Sequence, residues 1–196
     1  TKHPINYYFI TDMATYNDQE KKADAVFDIE NNNFHGGCSR YFIGKKNKRK
    51  ISQNIIKHAK LEKEVGIKEL NTYKKFVDNV IISKAKLNKL ITMIKNEGKK
   101  IVGYGAPAKS TTILNYCGIN YKSIEVIYDN SATKINKHTP GKSLIKIDDT
   151  KNFKNELSEY CVLFAWNHKE EILNKEKQYS KKGGKWIIPV NGIDII

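Results

Sequence analysis

The stretch KKIVGYGAPAKSTTILNYCG, residues 99–118, contains the strongest structural signal in this sequence of 196 residues. An apolar run is followed by a turn that contains Gly103 and Gly105, and a helix-like segment begins at Ala108. A strand, a glycine turn and a helix in this order are typical of the first unit of a doubly wound α/β sheet. The layout predicts that residues 103–109 lie where such sheets bind their ligands.

The sequence after the glycine turn continues to alternate between strand and helix patterns. The predicted elements are a strand at 124–129, a strand at 161–166, an amphipathic helix at 168–184 and a final strand at 185–190. Strands that alternate with helices favour a parallel sheet with helices on both faces. We therefore predict an α/β fold with a Rossmann-like, mainly parallel sheet.

The first half of the sequence follows other patterns. Short strand signals at 25–30 and 39–44 are followed by apolar residues repeated every three to four positions, which predict two helices. Gly66 is expected to separate these helices, and Gly98 is expected to cap the second one. The sequence thus divides into a β-rich piece at 1–48, a helical connector at 49–98 and a Rossmann-like domain at 99–196.

The composition limits the partners of this chain. The net charge is +14, but only Arg40 and Arg49 are arginines, and the basic cluster at 45–50 contains no aromatic residue. Nucleic-acid sites favour arginine for its bidentate contacts, so the composition argues against nucleic acid. No run of about 18 to 20 apolar residues predicts a membrane helix. The three cysteines have no paired spacing, which predicts no metal site and a reducing, cytoplasmic location.

The glycine turn itself allows two interpretations. Gly103, Gly105 and the small residue Ala108 match the dinucleotide-binding pattern, and Asp129 stands where an acid would bind ribose hydroxyls. Lys109, beside the free amides of a helix start, suits a diphosphate. A purely structural tight turn would require the same glycines. The spacing leaves both interpretations open.

Further stretches agree with the glycine turn in pointing to one family. They are HGGCSRYFI at 35–43, GYGAPAKSTTILNYCGI at 103–119, IYDNSATKINKHTPG at 127–141, LFAWNHKEEI at 163–172 and GGKWIIPV at 183–190. In this order they resemble the C-terminal region of the S-adenosylmethionine-dependent C-methyltransferases that act on nucleotide-linked deoxysugars. The resemblance covers nearly the whole chain, so it is far more specific than a glycine turn alone.

The resemblance implies that the chain is the part of such an enzyme that closes over the sugar nucleotide, with the methyl donor held elsewhere. The glycine turn would then face the diphosphate of the substrate. The implied substrate-binding residues are Gly103, Tyr104, Gly105, Ala106, Ala108, Lys109, His35, Arg40, Asp129, Lys134, Trp166 and Asn167. The family's proton-transfer segment corresponds to residues 2–9, which implies catalytic roles for His3 and Tyr7. Trp166 and Asn167 could instead be a core residue and a helix N-cap.

Family members are roughly twice as long as this chain and begin with zinc-binding and methyl-donor domains. Neither pattern is present in this sequence, and the resemblance implies that residues 1–48 are the tail of the methyl-donor domain. We therefore expect a fragment, a subunit of a split enzyme or a reduced family member. The expected partners are a nucleotide diphosphate sugar and a missing N-terminal half or partner subunit. The alternatives are a non-catalytic nucleotide-sugar-binding module and, from Gly103, Gly105 and Asp129 only, an NAD-dependent oxidoreductase.

Overall fold

The computed structural model of the chain forms two compact units, which are divided between Val77 and Asp78. The residues that the structure describes are 24–32, 37–45, 47–190 and 192–196. Within these residues, no helix combines the length and the apolar character that crossing a membrane requires.

The first unit contains an antiparallel strand pair followed by a helix. The two predicted strands are present as β1 (Asp24–Asn32) and β2 (Cys38–Lys45), and they pair with each other. Helix α1 (Gln53–Val65) begins after Ser52, whose hydroxyl accepts a backbone amide of the first turn. It ends at Gly66, which has the left-handed conformation expected of a glycine cap. A small core consists of Val26, Ile29 and Ile55.

Helix α2 (Leu70–Asn96) is the second helix of the predicted connector. Its C-terminal half buries Leu87, Ile91 and Ile94 in the core of the second unit. The chain leaves the helix at Gly98, whose φ of 71° confirms the predicted glycine cap.

The second unit is built on a six-stranded sheet. Its strands are β3 (Ile101–Tyr104), β4 (Val126–Asp129), β5 (Lys146–Asp149), β6 (Tyr160–Leu163), β7 (Lys185–Ile188) and β8 (Asp194–Ile195). The strand order is β5-β4-β3-β6-β7-β8, and all neighbours are parallel except β7 and β8. The chain runs outward from β3 to β5 and then returns to β6 on the other side of β3. This reversal confirms the predicted Rossmann-like fold and places a topological switch point at the C-terminal ends of β3 and β6.

Helices cover both faces of the sheet. The side chains of each strand alternate between the two faces, so each face presents apolar residues that pack against other elements. Besides the C-terminal half of α2, the helices of this unit are α3 (Ala108–Cys117), α4 (Lys169–Lys175) and α5 (Lys177–Lys181), with 3₁₀ turns at Thr150–Asn155 and Trp166–His168. Ile101 packs in the same cluster as Leu114 of α3, whereas Val102 and Tyr104 pack in the cluster of Tyr179 from α5. Helix α3 has the bounds that the sequence pattern predicted.

Two predicted elements need correction. The single helix expected at 168–184 is wrong, because the chain leaves helical geometry at Glu176 and forms two short helices instead. The strand expected at 161–166 ends at Leu163, and Trp166 begins a 3₁₀ turn. Strands β5 and β8 had no counterpart in the sequence prediction.

Candidate functional site

Gly103 is required by the packing of the sheet. It lies inside β3 with its Cα facing two large apolar side chains. A Cβ at this position would stand 2.8 Å from Ile127 Cγ1 and 2.9 Å from Phe164 Cε2. Any larger residue would therefore push apart the core on this face of the sheet.

Gly105 is required by both its conformation and its surroundings. Its φ is 81°, and a Cβ would stand 2.6 Å from the Cβ of Ala165, which follows β6. Its amide donates to the carbonyl oxygen of Tyr128 at 2.7 Å. The second glycine thus serves the contact between the ends of neighbouring strands.

Asp129 holds the turn from the end of β4. Its Oδ2 accepts the amide of Ala106 at 2.6 Å, and its Oδ1 accepts the amide of Ser131 at 2.8 Å. The ammonium of Lys134 lies 3.7 Å from Oδ2. Asp129 is only 7% exposed. Both carboxylate oxygens are therefore engaged by the protein.

The backbone amides that follow Pro107 differ from those of Gly105 and Ala106 in their hydrogen bonding. Helix α3 begins at Ala108 without a side-chain cap. In the part of the chain that the structure describes, the amides of Ala108 and Lys109 have no protein acceptor. The free amides and the helix dipole together make this end of α3 attractive to an anion.

Lys109 carries a positive charge in the first turn of α3. It is half-buried, and its Nζ lies 4.8 Å from the centre of the Trp166 ring. Burial lowers the pKa of the Lys109 ammonium below its ordinary value. Among the described residues, no carboxylate lies within ion-pair distance of this ammonium. An anionic ligand would supply the missing counter-charge.

The packing of Trp166 agrees with its alternative role as a core residue, whereas the alternative role of Asn167 as an N-cap is wrong. Trp166 is partly buried against the aromatic cluster, and its ring also faces Lys109. Asn167 is not an N-cap, because α4 begins after His168 and has no side-chain cap. The Nδ2 atom of Asn167 is buried and has no hydrogen-bond acceptor among the described residues. A buried amide without an acceptor is costly, which makes this atom a candidate donor to a ligand.

A cleft of about 330 Å³ opens beside the glycine turn, along the C-terminal ends of β3 to β6. Four of the predicted site residues, Tyr104, Gly105, Asp129 and Lys134, line it. The lining residues that the sequence analysis missed are Pro107, Tyr128, Asn130, Ser131, Thr150, Ala165, His168, Glu171, Ile172 and Lys175. The lining residues from 168 to 175 are three or four positions apart, so they lie on one face of α4 and the residue before it. This helical spacing could have indicated them from the sequence.

Tyr104 anchors the floor of this cleft. Its hydroxyl donates to Glu176 Oε1 at 2.8 Å and accepts the ammonium of Lys175 at 3.3 Å. Burial, and then the hydrogen bond to Glu176, raise the pKa of the Tyr104 hydroxyl. Tyr128 is held in the same way by Glu156, and burial and this hydrogen bond raise its pKa. Both phenols therefore stay neutral and act as fixed dipoles.

The remaining predicted site residues belong to the N-terminal part of the chain. Arg40 lies in β2, exposed, with Nη1 3.4 Å from Glu30 Oε2 of β1. His3, Tyr7 and His35 lie outside the described residues, so their roles stay predictions. No group of three His, Cys, Asp or Glu residues suited to a metal ion is found in the described ranges.

Comparison with known proteins identifies the family. Residues 33–191 match the family described as the C-methyltransferase C-terminal domain. The chain belongs to this family. It is also similar to the C-methyltransferase NovU of Streptomyces niveus, with 30% identity over 187 residues. These residues make up 95% of this chain and 44% of NovU, so the chain spans less than half the length of that relative.

Proposed function

We propose that this chain is the sugar-nucleotide-binding, C-terminal part of an S-adenosylmethionine-dependent sugar C-methyltransferase. Membership of the C-methyltransferase C-terminal domain family supports the general class. The cleft at the switch point supports a ligand-binding role, because open α/β sheets bind ligands there. The observation on which the proposal depends most is the half-buried Lys109 without a carboxylate partner, in the helical turn that carries two free amides.

These groups suit the diphosphate of a nucleotide sugar. A diphosphate presents several charged oxygens, which the amides of Ala108 and Lys109 and the Lys109 ammonium can each bind. The buried Nδ2 of Asn167, the residue after Trp166, has no acceptor among the described residues and is a further candidate donor. The polar lining of the cleft, in which charged groups of both signs are paired, suits a neutral part of the ligand that is rich in hydroxyls.

The described residues do not fit the methyl donor. An adenosine ligand in a sheet of this kind needs an acid with free oxygens for its ribose, but Asp129 uses both oxygens on backbone amides. We therefore assign no step of methyl transfer to these residues and propose that the donor binds to another part of the enzyme. The same arrangement gives no support to the NAD alternative. We further propose that residues 99–196 are the ligand-binding domain and that residues 1–48 belong to the methyl-donor domain.

Calorimetry with thymidine diphosphate glucose, compared with thymidine alone, tests this proposal. A charge-assisted contact is worth roughly 1.5 to 3 kcal/mol, so Lys109→Ala should weaken binding of the nucleotide sugar about ten- to a hundredfold. Thymidine should lose far less, because it has no phosphate. Lys89→Ala, at an exposed position of α2, is the matched control. Unchanged affinity of the Lys109 variant, or an equal loss for thymidine, would contradict the proposal.

A further inference from the structure

We infer that Asp129 is a positioning residue, whose carboxylate holds the glycine turn in its anion-binding conformation and does not serve to bind a ribose. The inference rests on the proposed function and concerns how the protein builds that site. Asp129 stands at the end of β4, which is where the sequence pattern suggests a ribose-binding acid. Its contacts point to another role.

The Asp129 carboxylate extends the ladder between β3 and β4 beyond the ends of the strands. Tyr104 and Tyr128 are the last paired residues, and the amide of Gly105 then donates to the carbonyl of Tyr128. The next available amide, that of Ala106, donates to Asp129 Oδ2 at 2.6 Å. A side-chain oxygen at the end of β4 thus holds an amide that lies beyond the last paired residues of the two strands.

The other oxygen fixes the carboxylate itself. Oδ1 accepts the amide of Ser131, so the loop after β4 determines the orientation of the group that holds the turn. The two anchored amides, at Gly105 and Ala106, immediately precede Pro107, whose φ is −69°. Because the ring of proline restricts φ, the path of the chain from the anchored amides to the free amides of Ala108 and Lys109 has little freedom.

The electrostatics favour the same conclusion. A buried carboxylate close to a diphosphate would repel it, so Asp129 can favour binding only through the geometry that it maintains. The ammonium of Lys134, 3.7 Å away, and the two amides offset part of this charge. A ribose ligand would also require open oxygens, whereas Asp129 is 7% exposed and both oxygens already accept hydrogen bonds.

Inorganic pyrophosphate separates these roles, because it contains no ribose. We expect Asp129→Asn to weaken pyrophosphate binding about tenfold, since the amide of Ala106 loses its charged acceptor. Asp78→Asn, at an exposed position of α2, is the control for the change in net charge. If Asp129 acts on ribose or only through its charge, its replacement should leave pyrophosphate affinity unchanged or increase it, and either result would overturn the inference.

A second measurement on the unmodified protein does not depend on ligand binding or on the folding of a variant. In nuclear magnetic resonance spectra, the amide proton of Ala106 should exchange with deuterium far more slowly than the amide protons of Ala108 and Lys109, because it donates to Asp129 Oδ2. Equal exchange rates at these three amides would refute the positioning role. Failure of the unmodified chain to bind either pyrophosphate or thymidine diphosphate glucose would instead refute the proposed function, and the Ala106 signal would still test Asp129.

Discussion

The two halves of the glycine turn differ in how many of their polar groups contact the rest of the protein. From Gly103 to Ala106, the space around each glycine and both turn amides are taken up by the protein itself. From Ala108 to Lys109, two amides have no acceptor and one ammonium has no carboxylate partner within the described residues. The first half is a scaffold, and we propose that the second half binds the ligand.

This difference matters for the interpretation of glycine-rich motifs. The pattern of a dinucleotide site attributes its second glycine, which corresponds to Gly105 here, to the close approach of a phosphate. Here both glycines face neighbouring side chains, Phe164 and Ala165 among them, rather than open space. The evidence for a ligand comes from the residues that follow the glycines.

The first prediction concerns the scaffold half and has the largest expected effect. Gly105→Val places a branched residue at a φ of 81° and against Ala165, so the free energy of unfolding should fall by about 2 to 6 kcal/mol. Gly98→Val is the matched control, because Gly98 has a φ of 71° but a Cβ added there would meet no atom within 4 Å. Urea unfolding should show a clearly smaller loss for Gly98→Val. Equal losses would remove the argument that contact with Ala165 requires a glycine.

The second prediction concerns the charge in the binding half. Lys109 must be protonated to attract a diphosphate, so affinity should fall as the pH rises through its pKa. Burial lowers that pKa, so the fall should begin below the ordinary lysine range near about 10.4 and reach roughly ten- to a hundredfold. Lys109→Arg, which keeps its charge, should show no such fall when affinity for thymidine diphosphate glucose is measured against pH. Identical pH profiles would mean that Lys109 does not contact the anion.

The third prediction extends the comparison to the proline–glycine stretch at 139–141. Asn115 of α3 donates to the carbonyl of Pro140 and accepts the amide of Lys142, while a Cβ at Gly141 would collide with its side chain. This stretch therefore acts as a scaffold. Asn115→Ala should lower the free energy of unfolding by about 1 to 2 kcal/mol and leave ligand affinity unchanged. A selective loss of affinity would place the stretch in the binding site.

The fourth prediction concerns the support of Lys109 and has the smallest expected effect. The ring of Trp166 faces the ammonium at 4.8 Å, an interaction worth about 0.5 to 1 kcal/mol at a partly exposed site. Trp166→Leu should weaken binding of the nucleotide sugar about two- to fivefold, whereas Trp166→Phe should lose less because it keeps an aromatic face. Calorimetry on both variants checks this order, and a greater loss for the phenylalanine variant would contradict it.

The sequence predicted what local patterns determine. Helix α3 has the predicted bounds because Pro107 precedes it and Gly118 caps it in a left-handed conformation. Strand β5 was missed because KIDD contains only one apolar residue, which is common for a strand at the edge of a sheet. The break at Glu176 accompanies a hydrogen bond to Tyr104, 72 residues away, which no local pattern can reveal.

The site shows the same limit. The sequence contains the glycines and an acid at the end of the next strand, but it does not show which groups these residues contact. A ribose-binding acid and an acid that holds a turn occupy the same position, and only the contacts of Asp129 with Ala106 and Ser131 distinguish them. The cleft residues on α4 were missed because their proximity to β4 and β5 depends on the packing of the whole sheet.

The most direct test of the difference between the two halves is a titration of amide chemical shifts with thymidine diphosphate glucose. The largest changes should occur at the amides of Ala108 and Lys109, because they would donate to the diphosphate. The amides of Gly103 and Gly105 should change little, because the protein already surrounds them. Large shifts at Gly103 and Gly105 without shifts at Ala108 and Lys109 would contradict the account.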